Sequence, residues 1–199
     1  MVNINDVVLG GDFLVLDTET TGLKSLDEII EIAVIDAFGK PLLNTRVKPT
    51  RRIPLDATEI HHISDEDVKD AAAWSQVSEE LMGILQGRRL IIYNVDYDTR
   101  LLTQTDRAHG LTRFDWRDRT TVAKSMHCAM EAFAPLYGDW SHYHHSYTFK
   151  GLAVAAECYQ IPAQAAPPHS ALGDCLMTLE VCRAMAAKKL LKKPRLSRR

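Results

Sequence analysis

Residues 13–23 read Phe-Leu-Val-Leu-Asp-Thr-Glu-Thr-Thr-Gly-Leu, an apolar run that leads directly into two carboxylates. The apolar residues 13–16 predict a buried strand, and because side chains alternate across a strand, Asp17 and Glu19 should point to the same side. The two carboxylates of such a pair repel each other and are costly to desolvate, so they require protonation, a basic partner or a metal ion. Residues 1–23 contain no Lys or Arg. A cation held with ligands from farther along the chain is therefore the leading hypothesis; the alternative is a strand with a solvated polar end.

The composition is that of one globular domain with a basic tail. The chain has 199 residues, of which 46% are hydrophobic and 25% charged. Residues 188–199 carry seven Lys or Arg and no acid, which predicts a disordered tail or a segment that attracts phosphate. Residues 1–187 hold 17 positive against 26 negative side chains. This acidic body should bind nucleic acid poorly unless metal ions neutralise some of its carboxylates.

The sequence also indicates the compartment of the protein and whether it crosses a membrane. No apolar run approaches the ~20 residues that a membrane-spanning helix needs, and the N-terminus lacks the basic and apolar regions of a signal peptide. The four cysteines form no Cys-x-x-Cys pair, which favours packing in a reducing cytosol over cross-linking. A cytoplasmic protein without a membrane segment is expected, and its oligomeric state stays open.

The order of elements predicts an α/β fold. Strands at residues 13–16, 29–36 and 42–47 are separated by short turns, which predicts an antiparallel meander. A fourth strand at 89–94 and a short one at 114–117 would complete a five-stranded sheet. Helices are expected at 56–61, 64–68, 74–86, 96–105, 120–133 and 148–158, and from 170 to about 191. Strands first, followed by alternating helices and strands, indicate a mixed sheet with helices on its faces.

Two further polar clusters follow element boundaries. Asn94, Asp96 and Asp98 come after the fourth strand, at the strand end where open α/β sheets gather their sites. Asp96 and Asp98 would face different ways on a helix, so only one should enter a site, and Asp96 is better explained as a helix-start acid. His169 precedes the last helix, and Asp174 lies about one turn inside it.

Together the clusters predict phosphoryl-transfer chemistry. Oxygen ligands favour hard cations such as Mg²⁺ or Mn²⁺, and two such ions can clamp the attacking and leaving oxygens of an in-line displacement. A histidine near neutral pH can take the proton of the attacking water. No Walker-type Gly-Lys-Ser/Thr sequence is present, which argues against a P-loop nucleotide hydrolase.

These motifs resemble those of the DEDDh (DnaQ-like) 3′→5′ exonucleases. The first is Asp17-Thr-Glu19-Thr-Thr-Gly, the second runs from Tyr93 to Asp98, and the third is His169-Ser-Ala-Leu-Gly-Asp174, all in the family's order. The segment at 60–66 also resembles the family, although Gly is more usual there than His62. The likeness covers most of residues 12–185.

The resemblance implies an RNase H-like α/β/α fold with a central mixed five-stranded sheet, an exonuclease domain over residues 1–187, and two Mg²⁺ or Mn²⁺ ions. By matching positions, it implies that His169 is the general base, that the metal ligands are Asp17, Glu19, Asp98 and Asp174, and that the substrate contacts include Thr20, Leu23 and Asn94. The expected reaction releases nucleoside 5′-monophosphates from a 3′ end.

The expected substrate is a single-stranded or mismatched 3′ end of DNA, with a polymerase or repair protein as a partner. An exoribonuclease of the oligoribonuclease or RNase T kind is the alternative in substrate. A non-catalytic nucleic-acid-binding module is the alternative from another class. It is disfavoured because all five catalytic positions are filled.

One loop is crowded with rings, namely Tyr137, Trp140, His142, Tyr143, His144, His145, Tyr147 and Phe149. Packing over the core is the favoured interpretation. Stacking on substrate bases and a separate metal site are the alternatives.

Overall fold

A mixed β-sheet forms the centre of the molecule. The structure, a computed structural model, describes residues 3–112, 116–118, 122–162 and 169–188. The strands of the sheet are β1 (Leu14–Thr20), β2 (Ile29–Asp36), β3 (Pro41–Lys48), β4 (Ala72–Ala73), β5 (Arg89–Ile92) and β6 (Ser125–Cys128). They lie in the order β4-β3-β2-β1-β5-β6. The β1–β2 and β2–β3 pairs are antiparallel, whereas β5 and β6 run parallel to β1, which confirms the meander and the mixed sheet.

The predicted number of five strands is wrong, because the described part of the sheet has six. Residues 113–115 lie outside the described residues, and Trp116 lies in a turn. The strand after β5 is instead Ser125–Cys128, in a segment predicted as helix. It takes the extended form because all four of its residues pair with β5. The two-residue β4 adds a short edge beside β3.

Helices cover both faces of the sheet. Their bounds are α1 (Ile4–Gly10), α2 (Leu55–His61), α3 (Asp65–Val68), α4 (Trp74–Leu85), α5 (Val95–Ala108), α6 (Ala129–Tyr137), α7 (Leu152–Tyr159) and α8 (Ala171–Ala186), and a separate hairpin consists of β7 (Trp140–Ser141) and β8 (Ser146–Tyr147). Helix α1 was not predicted. None of the described helices combines the length and apolarity that a bilayer crossing requires.

Successive side chains of β1 point to opposite faces of the sheet, so the core has two layers. Leu14 and Leu16 pack with residues of α4 and α5, while Phe13 and Val15 pack with residues of α1, α6, α7 and α8. This arrangement is the predicted α/β/α sandwich. The four cysteines are buried and free, as packing residues would be. Most of the predicted tail, residues 189–199, lies outside the described residues.

Several predicted helix boundaries hold and others shift. Helix α4 occupies the predicted segment, and Ser64 precedes α3 as its cap, with its backbone N–H donating to Asp67 Oδ2 at 2.9 Å. The helix predicted at 148–158 begins later, because Ser146 and Tyr147 pair in the hairpin and Gly151 is the N-cap of α7. The last helix ends at Ala186, earlier than predicted.

A buried carboxylate ties the α4–α5 layer together. Asp106 is 2% exposed, and its two oxygens accept hydrogen bonds from the indole N–H groups of Trp74 at 2.7 Å and Trp116 at 2.6 Å. Both indoles are fully buried, as predicted for core residues. Each buried donor therefore depends on the same side chain for its partner.

Asp106→Asn should lower the free energy of unfolding by about 1–3 kcal/mol, the cost of leaving one buried donor without an acceptor. An amide offers one oxygen and one NH₂ group, so one indole N–H would face another donor. Chemical denaturation measures this cost. Asp70→Asn, at an exposed position, is the matched control. Equal stability of the two variants would contradict the role given to Asp106.

Candidate active site

Three carboxylates converge at the carboxyl end of β1. Asp17 and Glu19 leave β1 on the side that faces α8, and Asp174 lies in the first turn of α8. One carboxylate oxygen from each of the three lies within 4.8 Å of the other two. The sequence spacing and the sandwich together place these acids at one edge of the sheet.

The start of α8 is fixed by contacts to its backbone. Ser170 is the N-cap, and its Oγ accepts a hydrogen bond from Gly173 N at 3.2 Å. Glu31 of β2 accepts another from Ala171 N at 2.9 Å. Glu31 is also the register partner of Glu19 across the β1–β2 ladder. A single carboxylate therefore links the strand that neighbours Glu19 to the helix that carries Asp174.

Asp98 reaches the same edge from the opposite face of the sheet. It lies in the first turn of α5, is 4% exposed, and accepts a hydrogen bond from Thr18 Oγ1 at 2.8 Å. Asp96 is exposed. This distinction agrees with the expectation that only one of the two would turn inward. Asp98 is not one of the three carboxylates that lie within 4.8 Å of each other.

The cluster shifts the acidity of its members. Burial raises the pKa of Asp17 well above its usual value, and the charges of Asp98 and Asp174 raise it further. Burial, followed by the charges of Asp174 and Glu31, raises the pKa of Glu19 to about 8. Burial raises the pKa of Asp98 to about 7, although the hydrogen bond from Thr18 opposes the rise. Without a cation, Glu19 and Asp98 are therefore partly protonated near neutral pH in the folded protein.

All eight predicted site residues line one cleft of about 270 Å³. Its walls contain Asp17, Thr18, Glu19, Thr20, Leu23, Tyr93, Asn94, Tyr97, Asp98, Leu152, His169 and Asp174. His169 is exposed at the rim, with a backbone φ of 55°. Its charge opposes the rise that burial causes in the pKa of Asp174. Asn94 is the residue before α5, and its carbonyl accepts from Asp98 N at 3.3 Å.

The turn after β1 is closed by Asp27, a residue to which the sequence assigned no role. Asp27 accepts hydrogen bonds from Thr21 Oγ1 at 3.1 Å and from Lys24 N at 2.5 Å. Gly22 has a φ of +152°, and a Cβ there would lie 2.7 Å from Asp27 Oδ2. Glycine is therefore required for the carboxylate to close the turn.

Helix α5 holds the same turn from the other side. Tyr97 OH lies 2.8 Å from Thr20 Oγ1 and donates to Gly22 O at 3.3 Å. Gln104 Nε2 donates to the carbonyls of Lys24 and Asp27 at 3.1 and 3.0 Å. Sequence reasoning missed Tyr97 and Gln104. The adjacency of Tyr97 to Asp98 was the one available indication, since contacts across 75 residues leave no local pattern.

A second, mainly apolar cleft of about 380 Å³ continues from the first past Thr20 and Leu23 to α2, where Ala57 and Ile60 line it. Leu23 is 77% exposed. His62 follows α2 in the left-handed conformation, with a φ of 59°, and its N–H donates to Thr58 O at 2.8 Å. Glycine adopts this conformation without strain, which accounts for the Gly that is more usual in the family at the position of His62.

The donor set fits a hard divalent cation. Asp17, Glu19 and Asp174 each offer an oxygen within reach of one ion, and oxygen donors are those that Mg²⁺ and Mn²⁺ prefer. Burial and, for Asp17 and Glu19, the charges of neighbouring acids raise the pKa values of these carboxyls, and a bound cation would offset both effects. Asp98 lines the same cleft.

Known proteins match the chain along most of its length. The RNase_T exonuclease family model matches residues 14–182. The uncharacterized exonuclease CP81 of Escherichia phage 186 is 38% identical over 184 residues, which cover 89% of this chain and 90% of that protein. The DNA polymerase III epsilon subunit of Buchnera aphidicola is 32% identical over 101 residues, but the match spans only 43% of that subunit.

Solved structures share the fold. Exonuclease X in complex with 5′-overhanging duplex DNA has a TM-score of 0.63 at 21% identity and covers 89% of this chain and 92% of its own. The nuclease domain of 3′hExo, a DEDDh family member bound to rAMP, has a TM-score of 0.67 at 14% identity and covers 92% and 96%. With the family model, these likenesses confirm the resemblance drawn from the three motifs. The chain belongs to the RNase_T exonuclease family and is a nuclease.

Proposed function

We propose that this chain is a metal-dependent 3′→5′ exonuclease that hydrolyses phosphodiester bonds of DNA at single-stranded or mismatched 3′ ends. The observation that carries the proposal is the approach of Asp17, Glu19 and Asp174 to within 4.8 Å at the sheet edge. Burial and the charges of neighbouring acids raise the pKa values of Asp17 and Glu19, a perturbation typical of functional sites. The products are nucleoside 5′-monophosphates.

In this proposal, Asp17, Glu19, Asp98 and Asp174 would hold two Mg²⁺ or Mn²⁺ ions. When bound, the ions would supply Lewis-acid activation of water and neutralisation of charge on the phosphate. Thr18 keeps the Asp98 carboxyl aimed at the cleft, and Glu31 keeps the first turn of α8 in place beneath Asp174.

His169 is the general base in this scheme. Its exposure and its place on the cleft rim allow the ring to approach a substrate and afterwards to release a proton to solvent. Because His169 stands five residues before Asp174, base and ligand are carried by the same helix start.

The 3′ end is proposed to enter along the turn after β1. Thr20, held by Tyr97, presents backbone to the terminal nucleotide. Leu23 and the apolar cleft beside α2 offer a surface for its base, and Asn94 lies beside Asp98 near the scissile phosphate. This division assigns polar groups to the phosphate and apolar groups to the base.

Relatives support DNA as the substrate without excluding the exoribonuclease alternative. The names of similar proteins include DNA polymerase III epsilon subunits and DNA complexes of exonuclease X and exonuclease I. The RNA alternative rests on 3′hExo, whose structure holds rAMP. The polymerase subunits also support the expected polymerase or repair partner. The non-catalytic binding module is disfavoured because all five catalytic positions carry the expected residues.

The purified chain with Mg²⁺ or Mn²⁺ should shorten a 5′-labelled DNA single strand in one-nucleotide steps, and EDTA should stop the reaction. A matched RNA strand distinguishes the two substrate proposals. Denaturing gels resolve the products. Internal cuts, or activity that persists in EDTA, would rule out the proposed mechanism.

Asp17→Asn should reduce turnover roughly a thousandfold, because metal-ion stabilisation is worth several kcal/mol.

In EDTA, the Asp17→Asn variant should melt at a higher temperature than wild type at pH 8, and the difference should vanish near pH 5. The folded carboxyls, with a pKa of about 8 for Glu19 and about 7 for Asp98, bind protons that the unfolded chain has already released. Stability of the metal-free protein therefore falls as pH rises from about 4.5 to about 8, since the folded state holds more protons than the unfolded state.

Added Mg²⁺ should restore the wild-type melting temperature most strongly above pH 7, where the ligands are ionised. Asp70→Asn serves as the exposed control and should leave both the pH profile and the activity unchanged. A melting temperature that rises between pH 5 and pH 8 in EDTA would contradict the clustered repulsion.

His169→Ala should lower kcat by about 100-fold to 10,000-fold, the usual share of general base catalysis, while the Mg²⁺-induced rise in melting temperature is retained. Added imidazole should recover part of the activity. Loss of the Mg²⁺ response would instead make His169 a ligand. His127→Ala, on β6, is the histidine control.

A further inference from the structure

A small hairpin of aromatic residues stands beside the cleft and has no part in the site described so far. Strands β7 and β8 pair antiparallel, with Trp140 opposite Tyr147 and Ser141 opposite Ser146. The turn at its tip spans residues 142–145. Residues 140–150, which include the segment leading back to α7, are called the aromatic hairpin below.

The rings of the aromatic hairpin face solvent. Tyr143 is 88% exposed, Phe149 58%, Trp140 44% and Tyr147 39%. Trp140 and Tyr147 meet edge to face with ring centroids 5.0 Å apart, which braces the hairpin. The expectation that these rings pack over the core is therefore wrong for these four. A local β-pairing holds the segment, so its rings are not required in the interior.

The aromatic hairpin rises from the rim of the carboxylate cleft. Tyr93 lines the cleft, and its hydroxyl donates a hydrogen bond of 2.7 Å to Lys150 O. Leu152, two residues farther on, also lines the cleft. Phe149 is adjacent to Lys150, and Tyr147 is three residues away, a span of at most about 10 Å. The base of the aromatic hairpin, next to Phe149, therefore lies at the rim of the cleft.

Chemically, the aromatic hairpin suits bases. Residues 140–150 contain four aromatic residues and three histidines, but no Asp or Glu and no Leu, Ile, Val or Met. The Lys150 ammonium is paired with Asp139 at 2.6 Å. The exposed surface of the hairpin is therefore mainly aromatic. His142, His144 and His145 belong to no metal-ligand cluster found among the described residues. Successive exposed rings are the usual platform for single-stranded nucleic acid, because every base presents a π-face.

We propose that the aromatic hairpin is a stacking platform for bases of a single strand upstream of the terminal nucleotide. The proposal rests on the proposed function, which places the 3′ end in the cleft. Tyr143 and Phe149 are the stacking rings, while the Trp140–Tyr147 pair keeps the platform in shape. The platform would let the enzyme hold a strand between successive cleavages.

Fluorescence anisotropy tests the platform by measuring how tightly the full chain binds 5′-fluorescein-labelled dT12 and dT2. Ca²⁺ replaces Mg²⁺ in the assay to avoid cleavage. Tyr143→Ala and Phe149→Ala should each weaken dT12 binding by about fivefold to 150-fold, the range measured for removal of one base–aromatic stack, with a much smaller loss for dT2. Phe149→Tyr, which retains a ring, should bind dT12 as wild type does.

Phe38→Ala is the matched control. Phe38 is 82% exposed, but it follows the far end of β2, away from the edge where Glu31 lies. If Tyr143→Ala and Phe149→Ala bind dT12 as tightly as Phe38→Ala does, the platform is refuted. The exposed rings would then be better explained as a contact surface for a protein partner. Equal losses for dT2 and dT12 would also refute it, since the rings would then be shaping the cleft. Failure of wild type to shorten strands in Mg²⁺ would overturn the proposed function alone, because the binding comparison does not depend on cleavage.

Discussion

Repulsion among Asp17, Glu19 and Asp174 is the constraint on which the rest of this structure depends. Three carboxylates within 4.8 Å destabilise a folded chain unless protons or a cation neutralise them. The sheet nevertheless places two of them at alternate positions of one strand, and α8 contributes the third. The packing of a two-layer core holds them there, and burial together with the neighbouring charges raises the pKa values of Asp17 and Glu19.

Other contacts at the site serve to keep these acids in place. Thr18 fixes Asp98 from the far face of β1, and Glu31 fixes the start of α8. Asp27 and Tyr97 close and brace the turn that follows Glu19. None of these residues needs to touch a reacting atom. They reduce the motion of the groups that do, which is how a rigid sheet edge becomes a preorganised site.

Sequence reasoning succeeded where a local pattern carries the information and missed what depends on distant partners. The apolar run before Asp17 and the spacing of α4 predicted their elements, and the three motifs predicted eight residues that line one cleft. Ser125–Cys128 was assigned to helix because its extended form depends on pairing with β5, more than 30 residues earlier. The Thr18–Asp98 bond spans 80 residues and leaves no periodic trace. The outward rings of the aromatic hairpin were mistaken for core, since composition does not report which side of a short β-pair is covered.

The central claim is that the acid cluster is a site for two divalent cations. Equilibrium dialysis of Mn²⁺ against the full chain, with free and bound metal separated by electron paramagnetic resonance, tests it most directly. The account predicts two bound Mn²⁺ per wild-type chain in the presence of a nucleoside 5′-monophosphate. It also predicts a loss of bound metal in Asp17→Asn, because the variant replaces a carboxylate ligand by a neutral amide. A wild-type chain that binds no Mn²⁺, or an Asp17→Asn variant that binds as much as wild type, would contradict it.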